Sequence, residues 1–129
     1  MIMGQRVLLC DDDVVLLNVI NTVLLANGFQ VDVASSLTEA KNLLKFKQYD
    51  GIVIDFNLGR NQYGTQIHEV TDLPVMIITG QEKNKMLQNE IMMQKPFEFA
   101  AFIEAVKALC LPPPTNSNVA QRVKYYKIA

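Results

Sequence analysis

The sequence predicts an α/β fold built on a doubly wound, five-stranded parallel sheet. Five short apolar runs alternate with segments in which apolar residues recur at helical spacing. Polar or turn-forming residues close each of these runs. Strands that alternate with helices in this way are typical of βαβ units, and right-handed crossovers then place helices on both faces of the sheet.

The composition indicates a single cytoplasmic globular domain. Of the 129 residues, half are hydrophobic and 19% are charged, and the net charge is −1, which favours neither disorder nor a polyanionic partner. The longest apolar helical stretch, residues 14–26, is too short for a membrane span, and residues 1–6 lack the apolar core of a signal peptide. Cys10 and Cys110 show no metal-type spacing, and because Cys10 ends an apolar run we expect it to be a reduced core residue.

The first unit begins with the apolar run Arg6–Cys10, which we interpret as the first strand. Asp13 is a candidate N-cap for the next helix, and Gly28 is a candidate left-handed residue after its end. Alternating apolar and polar residues over 29–33 predict a second, more exposed strand at a sheet edge. The helix between the two strands is indicated by apolar residues at Val14, Leu17, Val19, Ile20, Val23 and Leu24.

The second unit begins with Ser36 and Glu39, whose spacing matches a capping box, and its helix is expected to run to about Gln48. The run Gly51–Asp55 is continuously apolar until its final carboxylate, which predicts a strand buried on both faces. Residues 59–64 follow as a polar loop with a glycine at each end.

Helical signals are weaker in the next part of the chain. Residues 65–70 form at most a short helix, and residues 82–90 form a weak helix at best. The runs Val75–Thr79 and Ile91–Met93 predict the fourth and fifth strands. Residues 97–111 predict a longer final helix that the following prolines end. Its inward side is expected to carry Phe99, Phe102, Ile103, Val106, Leu109 and Cys110.

Polar side chains stand at the carboxyl end of four predicted strands. Asp11 and Asp12 follow the first strand, Asp55 ends the third, Thr79 ends the fourth and Lys95 follows the fifth. Parallel strands bring all of these ends to one edge of the sheet, where ligands bind in open α/β folds. An acidic helix N-terminus is the simpler explanation of the first aspartates, but three in a row exceed what capping needs.

The chemistry of this set is coherent. Crowded carboxylates resist ionising together, and Mg²⁺, which prefers oxygen ligands, relieves the conflict. Lys95 adds a positive charge and Thr79 adds a hydroxyl group. Together they match what a transferring phosphoryl group needs, and a carboxylate nucleophile such as Asp55 can accept that group as an acyl phosphate.

With these residues in this order, the chain resembles the receiver domain of two-component response regulators from Val7 to Leu111. The resemblance implies the flavodoxin-like strand order 2-1-3-4-5, Mg²⁺ as cofactor and a lysine followed by a cis proline. It also implies roles for individual residues: Asp11 and Asp12 as metal ligands, Asp55 as metal ligand and phosphoacceptor, Asn57 as a metal ligand through its backbone carbonyl, and Thr79 and Lys95 as catalytic residues.

Two departures from the family pattern stand out. The spans from Asp55 to Thr79 and from Thr79 to Lys95 are each short by roughly one and a half helical turns, so we expect shortened third and fourth helices. Met92 stands where the family usually has an aromatic residue on the fifth strand, which puts the usual signalling face in doubt.

The leading hypothesis is a stand-alone receiver over residues 5–111, followed over 112–129 by a proline-rich linker and a short basic tail without an effector domain. It would accept a phosphoryl group from a sensor histidine kinase or histidine phosphotransfer protein, and would not be a turnover enzyme. We expect its output to be contact with a downstream protein rather than nucleic acid or a membrane, although the tail leaves a nucleic-acid or partner contact open.

Two alternatives remain. A phosphorylation-independent interaction module would keep the fold but not the chemistry, as the short spans and Met92 suggest. A metal-dependent phosphatase would often carry a second acid two residues after its nucleophile, and Asn57 at that position argues against it. The only histidine, His68, is expected to be a surface or loop residue.

Overall fold

The structure is a computed structural model that describes residues 4–80 and 85–112. Its sheet has five parallel strands in the order β2-β1-β3-β4-β5, which confirms the predicted fold class and strand order. The strands are β1 (Arg6–Cys10), β2 (Gln30–Ala34), β3 (Gly51–Asp55), β4 (Val75–Thr79) and β5 (Ile91–Gln94). The α-helices are α1 (Val14–Ala26), α2 (Leu37–Phe46) and α3 (Phe99–Cys110).

The three central strands coincide with their predicted apolar runs. Every residue of β3 and β4 is buried, as is all of β1 except Arg6. The strand β2 forms one edge of the sheet and is only partly buried, as its alternating pattern predicts. The carboxyl ends of the central strands therefore emerge from a rigid, fully covered layer.

Local capping explains where the first two helices begin. The Asp13 carboxylate accepts a hydrogen bond from the backbone N–H of Leu16, which confirms the predicted N-cap of α1. The Ser36 hydroxyl accepts one from the N–H of Glu39 at the start of α2. The Glu39 side chain reaches back to Ser35 instead of Ser36, so the predicted capping box is displaced by one residue.

Two short 3₁₀ segments stand where third and fourth helices were expected to be shortened. The first 3₁₀ segment is Gly64–Glu69 and the second is Lys85–Leu87. A hydrogen bond of 2.9 Å between His68 and Glu90 ties the first to the residue just before β5. The prediction of shortened helices is thus confirmed within the described residues.

Apolar side chains pack on both faces of the sheet. Between the sheet, α1 and α3 lie residues such as Leu17, Ile20 and Phe102, and the other face is covered by α2 and the first 3₁₀ segment. The inward assignment of Phe99 on α3 was wrong, because its side chain is exposed. On α1, Val14 and Val19 belong to the apolar recurrence that indicates the helix, but their side chains are also exposed.

Apolar residues stand on several sides of α1, so their spacing alone does not select its buried face. Cys10 and Cys110 are buried free thiols, and loss of hydration raises the pKa of each to about 12.

No helix among residues 4–80 and 85–112 is long and apolar enough to cross a bilayer. The expected linker and tail lie outside the described residues from position 113 onward, as do residues 81–84 of the weak helix expected over 82–90. The division into a domain over 5–111 and a tail over 112–129 stays a prediction.

Candidate functional site

Three aspartates meet at the carboxyl edge of the sheet. One carboxylate oxygen from each of Asp11, Asp12 and Asp55 lies within 4.8 Å of the other two. Asp11 and Asp55 are buried, whereas Asp12 is exposed at the mouth of the cluster. The backbone positions Asp11 firmly, since its N–H donates to the carbonyl of Ala34 and its Oδ1 accepts from the N–H of Asp13.

Lys95 brings a positive charge to the two buried carboxylates. Its Nζ lies 2.7 Å from Oδ1 of Asp55 and 3.9 Å from Oδ2 of Asp11. The peptide bond between Lys95 and Pro96 is cis, as the family resemblance implied. The backbone N–H of Lys95 donates to the carbonyl of Thr79 across 2.7 Å, which joins the ends of β4 and β5.

Burial makes the acid cluster electrostatically costly. Loss of hydration, aided by the nearby Asp55 charge, raises the pKa of Asp11 to about 6 despite its hydrogen bond from Asp13 and the charge of Lys95. Loss of hydration also raises the pKa of Asp55, while Lys95 and a backbone hydrogen bond from Asn57 oppose the rise. One lysine therefore compensates the carboxylates only in part.

The negative charge that Lys95 leaves uncompensated fits the binding of a divalent cation. Oδ2 of Asp11 is buried without a hydrogen-bond partner among the described residues, although a buried acceptor of this kind is usually satisfied. Three carboxylates within reach of one point form an all-oxygen donor set of the kind Mg²⁺ prefers. The residues present thus fit a magnesium ion at the mouth of the cluster.

The loop after β3 is a small hairpin. Asn57 and Tyr63 face each other in an antiparallel bridge, flanked by hydrogen bonds from Leu58 N–H to the Gln62 carbonyl and from Gly64 N–H to the Phe56 carbonyl. Its tip has three successive residues of positive φ, at Gly59 (78°), Arg60 (52°) and Asn61 (59°). We call residues 56–64 the β3 hairpin.

The hydrogen bonds between the two arms of the β3 hairpin do not use the backbone N–H and C=O groups of Asn57. In a pair of this type the two facing residues do not bond each other, so their N–H and C=O groups point away from the opposite arm. The Asn57 N–H accordingly bonds the Asp55 carboxylate, and a Cβ placed on Gly59 would lie 3.5 Å from Oδ2 of Asp12. The outer edge of Asn57 thus runs beside the acid cluster, while its side-chain Oδ1 accepts from the Gly59 N–H.

The other singled-out residues fall at different distances from this cluster. Thr79 is buried at the end of β4, one position beyond the residue that pairs with Asp55. Met92 is partly buried on β5 and packs with the apolar layer under α2. His68 borders a surface cavity at the amino end of β4, and so at the opposite edge of the sheet.

Sequence reasoning predicted a polar loop over residues 59–64 and did not identify the β3 hairpin. The signal available was the pair of larger side chains, Leu58 and Tyr63, on either side of a turn-forming segment with glycine. It was too short to distinguish a hairpin from an irregular loop.

Comparison with known proteins agrees with the predicted family and fold. Residues 7–107 match the family model of the response regulator receiver domain. The chain is 29% identical to a transcriptional regulatory protein CpxR homolog of Haemophilus influenzae and 28% identical to the regulatory protein VirG of Agrobacterium tumefaciens, over 93% and 80% of its length. These matches span only 56% and 42% of the two relatives.

Among solved structures, the chain is similar to a response regulator receiver protein from Sinorhizobium medicae. The TM-score is 0.75 and the identity 31%, over 83% of this chain and 94% of that one. Both structures share the fold, and the family match extends from β1 into α3. On this match, and with the acid cluster at the expected strand ends, the chain belongs to the response regulator receiver domain family.

Proposed function

We propose that the protein is a phosphoacceptor: Asp55 accepts a phosphoryl group from a phosphohistidine donor in a Mg²⁺-dependent reaction. The observation that supports this best is the arrangement around Asp55. A lysine ammonium lies 2.7 Å from one of its oxygens, and two further carboxylates lie within 4.8 Å. The ammonium group can attract the oxygens of a phosphoryl group, and the carboxylates beside it can bind a cation.

The chemistry follows from charge and position. A carboxylate oxygen of Asp55 forms a bond to phosphorus as the bond between phosphorus and the donor imidazole nitrogen breaks, and the imidazole keeps that electron pair and takes a proton from solvent. Lys95 neutralises charge on the phosphoryl oxygens, and the hydroxyl of Thr79 is a candidate donor to them. Mg²⁺, when bound, shields the carboxylates from the incoming group.

We assign the metal ligands as the carboxylates of Asp11, Asp12 and Asp55 and the backbone carbonyl of Asn57. The Oδ2 of Asp11, which lacks a hydrogen-bond partner among the described residues, and the Asn57 carbonyl, which points away from the opposite arm of the hairpin, support this assignment. Among the described residues, no other cluster brings together three side chains that could bind a metal ion. The same site would later return the phosphoryl group to water, so the protein assists its own modification without turning over a separate substrate.

The donor is expected to be a sensor histidine kinase or a histidine phosphotransfer protein in the cytoplasm. Val14 and Val15 are exposed at the start of α1, directly after the acid cluster. Apolar side chains beside a reactive centre favour a protein donor, because docking buries them. The phosphorylated state would then be read by contact with a downstream protein.

One observation favours the alternative of an interaction module that does not need phosphorylation. In the described part of the chain, short 3₁₀ segments stand before and after β4 in place of full helices. Met92 has no aromatic ring that could move together with Thr79. Phosphoryl uptake without a conformational response would then leave partner binding unchanged. Equal partner affinity of the phosphorylated wild type and of Asp55→Asn would support this alternative.

The test is intact-protein mass spectrometry after incubation with acetyl phosphate or phosphoramidate, with and without Mg²⁺. We expect the wild type to gain one phosphoryl group only with Mg²⁺, and Asp55→Asn to gain none while keeping its thermal unfolding transition. Asp72→Asn is the control, because Asp72 is exposed and far along the chain from the cluster. Equal uptake by Asp55→Asn would refute the assignment of the phosphoacceptor. If small donors fail with every variant, a phosphorylated histidine phosphotransfer protein replaces them.

A further inference from the structure

We propose that Gly64 is a positioning residue for the magnesium site: its lack of a side chain lets the β3 hairpin close against Asp55 and keeps the Asn57 carbonyl beside the carboxylates. This inference rests on the proposed function, since it concerns the same cation. It adds a residue that touches neither the cation nor the phosphoryl group.

The contact that requires glycine is with the backbone of β3. The N–H of Gly64 donates to the Phe56 carbonyl across 2.7 Å. A Cβ at position 64 would lie 2.4 Å from the carbonyl oxygen of Asp55 and 3.2 Å from its carbonyl carbon. Gly64 is not among the described residues of positive φ, so the requirement is for space and not for a left-handed backbone.

A side chain at this position would open the hairpin at its base. Backbone atoms cannot turn away as a flexible side chain can, so relief of the clash requires a displacement of about 1 Å between Gly64 and Asp55. The first arm of the hairpin, which carries Asn57, is bonded to the second arm at both flanking positions. The displacement is therefore transmitted to Asn57.

The magnesium site is sensitive to a movement of this size. Mg²⁺ demands near-ideal octahedral geometry with ligands about 2.0–2.1 Å away, so a carbonyl displaced by about 1 Å is lost as a ligand. The Asn57 N–H also holds the Asp55 carboxylate, so both groups would lose their alignment together. Changes to groups that orient metal ligands typically weaken metal binding by about 10–100-fold.

The experiment measures Mg²⁺ affinity of the unphosphorylated protein by isothermal titration calorimetry, together with phosphoryl uptake. We expect Gly64→Ala to weaken Mg²⁺ binding by at least about tenfold. Gly51→Ala is the matched control at the opposite end of the same strand, where a Cβ would lie 3.0 Å from Sγ of Cys110 and 3.2 Å from Cδ2 of Leu109. It should lower the unfolding temperature but leave Mg²⁺ affinity within about twofold, because its clash is with core side chains.

The outcomes separate this inference from the proposed function. If the wild type neither binds Mg²⁺ nor takes up a phosphoryl group, the proposed function fails and this inference with it. If the wild type does both and a folded Gly64→Ala binds Mg²⁺ as tightly, the inference alone is overturned.

If Gly64→Ala does not fold, Tyr63→Ala decides the question. That variant adds no atom and removes the ring contact with Phe56, whose centroid lies 5.2 Å away, so it loosens the same hairpin. At least about threefold weaker Mg²⁺ binding would support the inference, and unchanged binding would overturn it.

Discussion

Replacing Asp11 by asparagine should stabilise the metal-free protein. Asp11 is 1% exposed, and its Oδ2 has no hydrogen-bond partner among the described residues. Asparagine keeps an oxygen that can accept the hydrogen bond from Asp13, which is 2.9 Å long, and replaces the charged carboxylate by a neutral amide of similar size. The substitution therefore isolates the cost of a buried negative charge at this position.

The magnitude follows from the pKa of Asp11, which burial raises from 3.8 to about 6. Each unit corresponds to roughly 1.4 kcal/mol, so the charged form costs about 3 kcal/mol relative to an ordinary aspartate. The opposing effect of the Lys95 charge is already included in this pKa. Allowing for imperfect amide packing, we expect Asp11→Asn to gain about 1–3 kcal/mol near neutral pH, or roughly 3–10 °C in unfolding temperature.

The gain should depend on pH. Because the folded-state pKa of Asp11 lies above the unfolded value of 3.8, its contribution to stability is fully present below about pH 3.8 and is lost as pH rises through about 6. The stability advantage of the variant should therefore be small near pH 4, grow toward pH 6 and remain constant above it. Titrating groups that do not interact with Asp11 act on both proteins and cancel in the difference.

The assay is thermal or urea unfolding of the wild type and Asp11→Asn between about pH 4 and 8, with and without Mg²⁺, and with the exposed-site control Asp72→Asn. Saturating Mg²⁺ at about 100 times its dissociation constant adds roughly 2.7 kcal/mol to the wild type and should cancel or reverse the advantage of the variant. A wild type that is the more stable protein at neutral pH without Mg²⁺, or a difference independent of pH, would refute the reasoning.

Three further predictions concern other residues. Lys95→Ala should reduce phosphoryl uptake by at least about tenfold in mass spectrometry while Mg²⁺ binding by calorimetry persists, because the ammonium 2.7 Å from Asp55 serves the incoming group; unchanged uptake would contradict this role. Arg60→Gly should raise the free energy of unfolding in urea by about 0.5–1 kcal/mol, since relief of a positive φ exceeds the added freedom of the unfolded chain, and a loss of stability would contradict it. Cys10 and Cys110 should resist iodoacetamide at about pH 8 until the protein is denatured, because burial raises the pKa of both thiols; rapid modification of the native protein would count against this.

The sheet was predictable because its central strands are buried on both faces. In β1, β3 and β4 a continuous apolar run ends at or just before a polar residue, so the sequence marks the strand boundary directly. The same rule assigns Asp11 and Asp55 to the carboxyl edge of the sheet. The gathering of the acid cluster thus follows from strand direction alone.

Features that depend on packing between segments were not predictable in this way. Phe46 continues the apolar pattern of α2, yet it lies at the last position of the helix and is 83% exposed. The β3 hairpin depends on one close backbone approach at Gly64, which no periodicity encodes. A glycine in a polar loop looks the same in sequence whether or not its missing side chain is required.

The pairing of the strands explains why a bound cation would stabilise the acid cluster. On a flexible loop, three carboxylates would relieve their repulsion by moving apart or into water. Here β1 and β3 are neighbouring buried strands whose register pairs Cys10 with Ile54, so the residues that follow, Asp11 and Asp55, cannot separate without breaking the ladder. Lys95 approaches Asp55 closely but stays 3.9 Å from Asp11. Protonation of Asp11 or a bound cation is left to remove the rest of the repulsion, and near neutral pH only the cation does so without sacrificing a charged ligand.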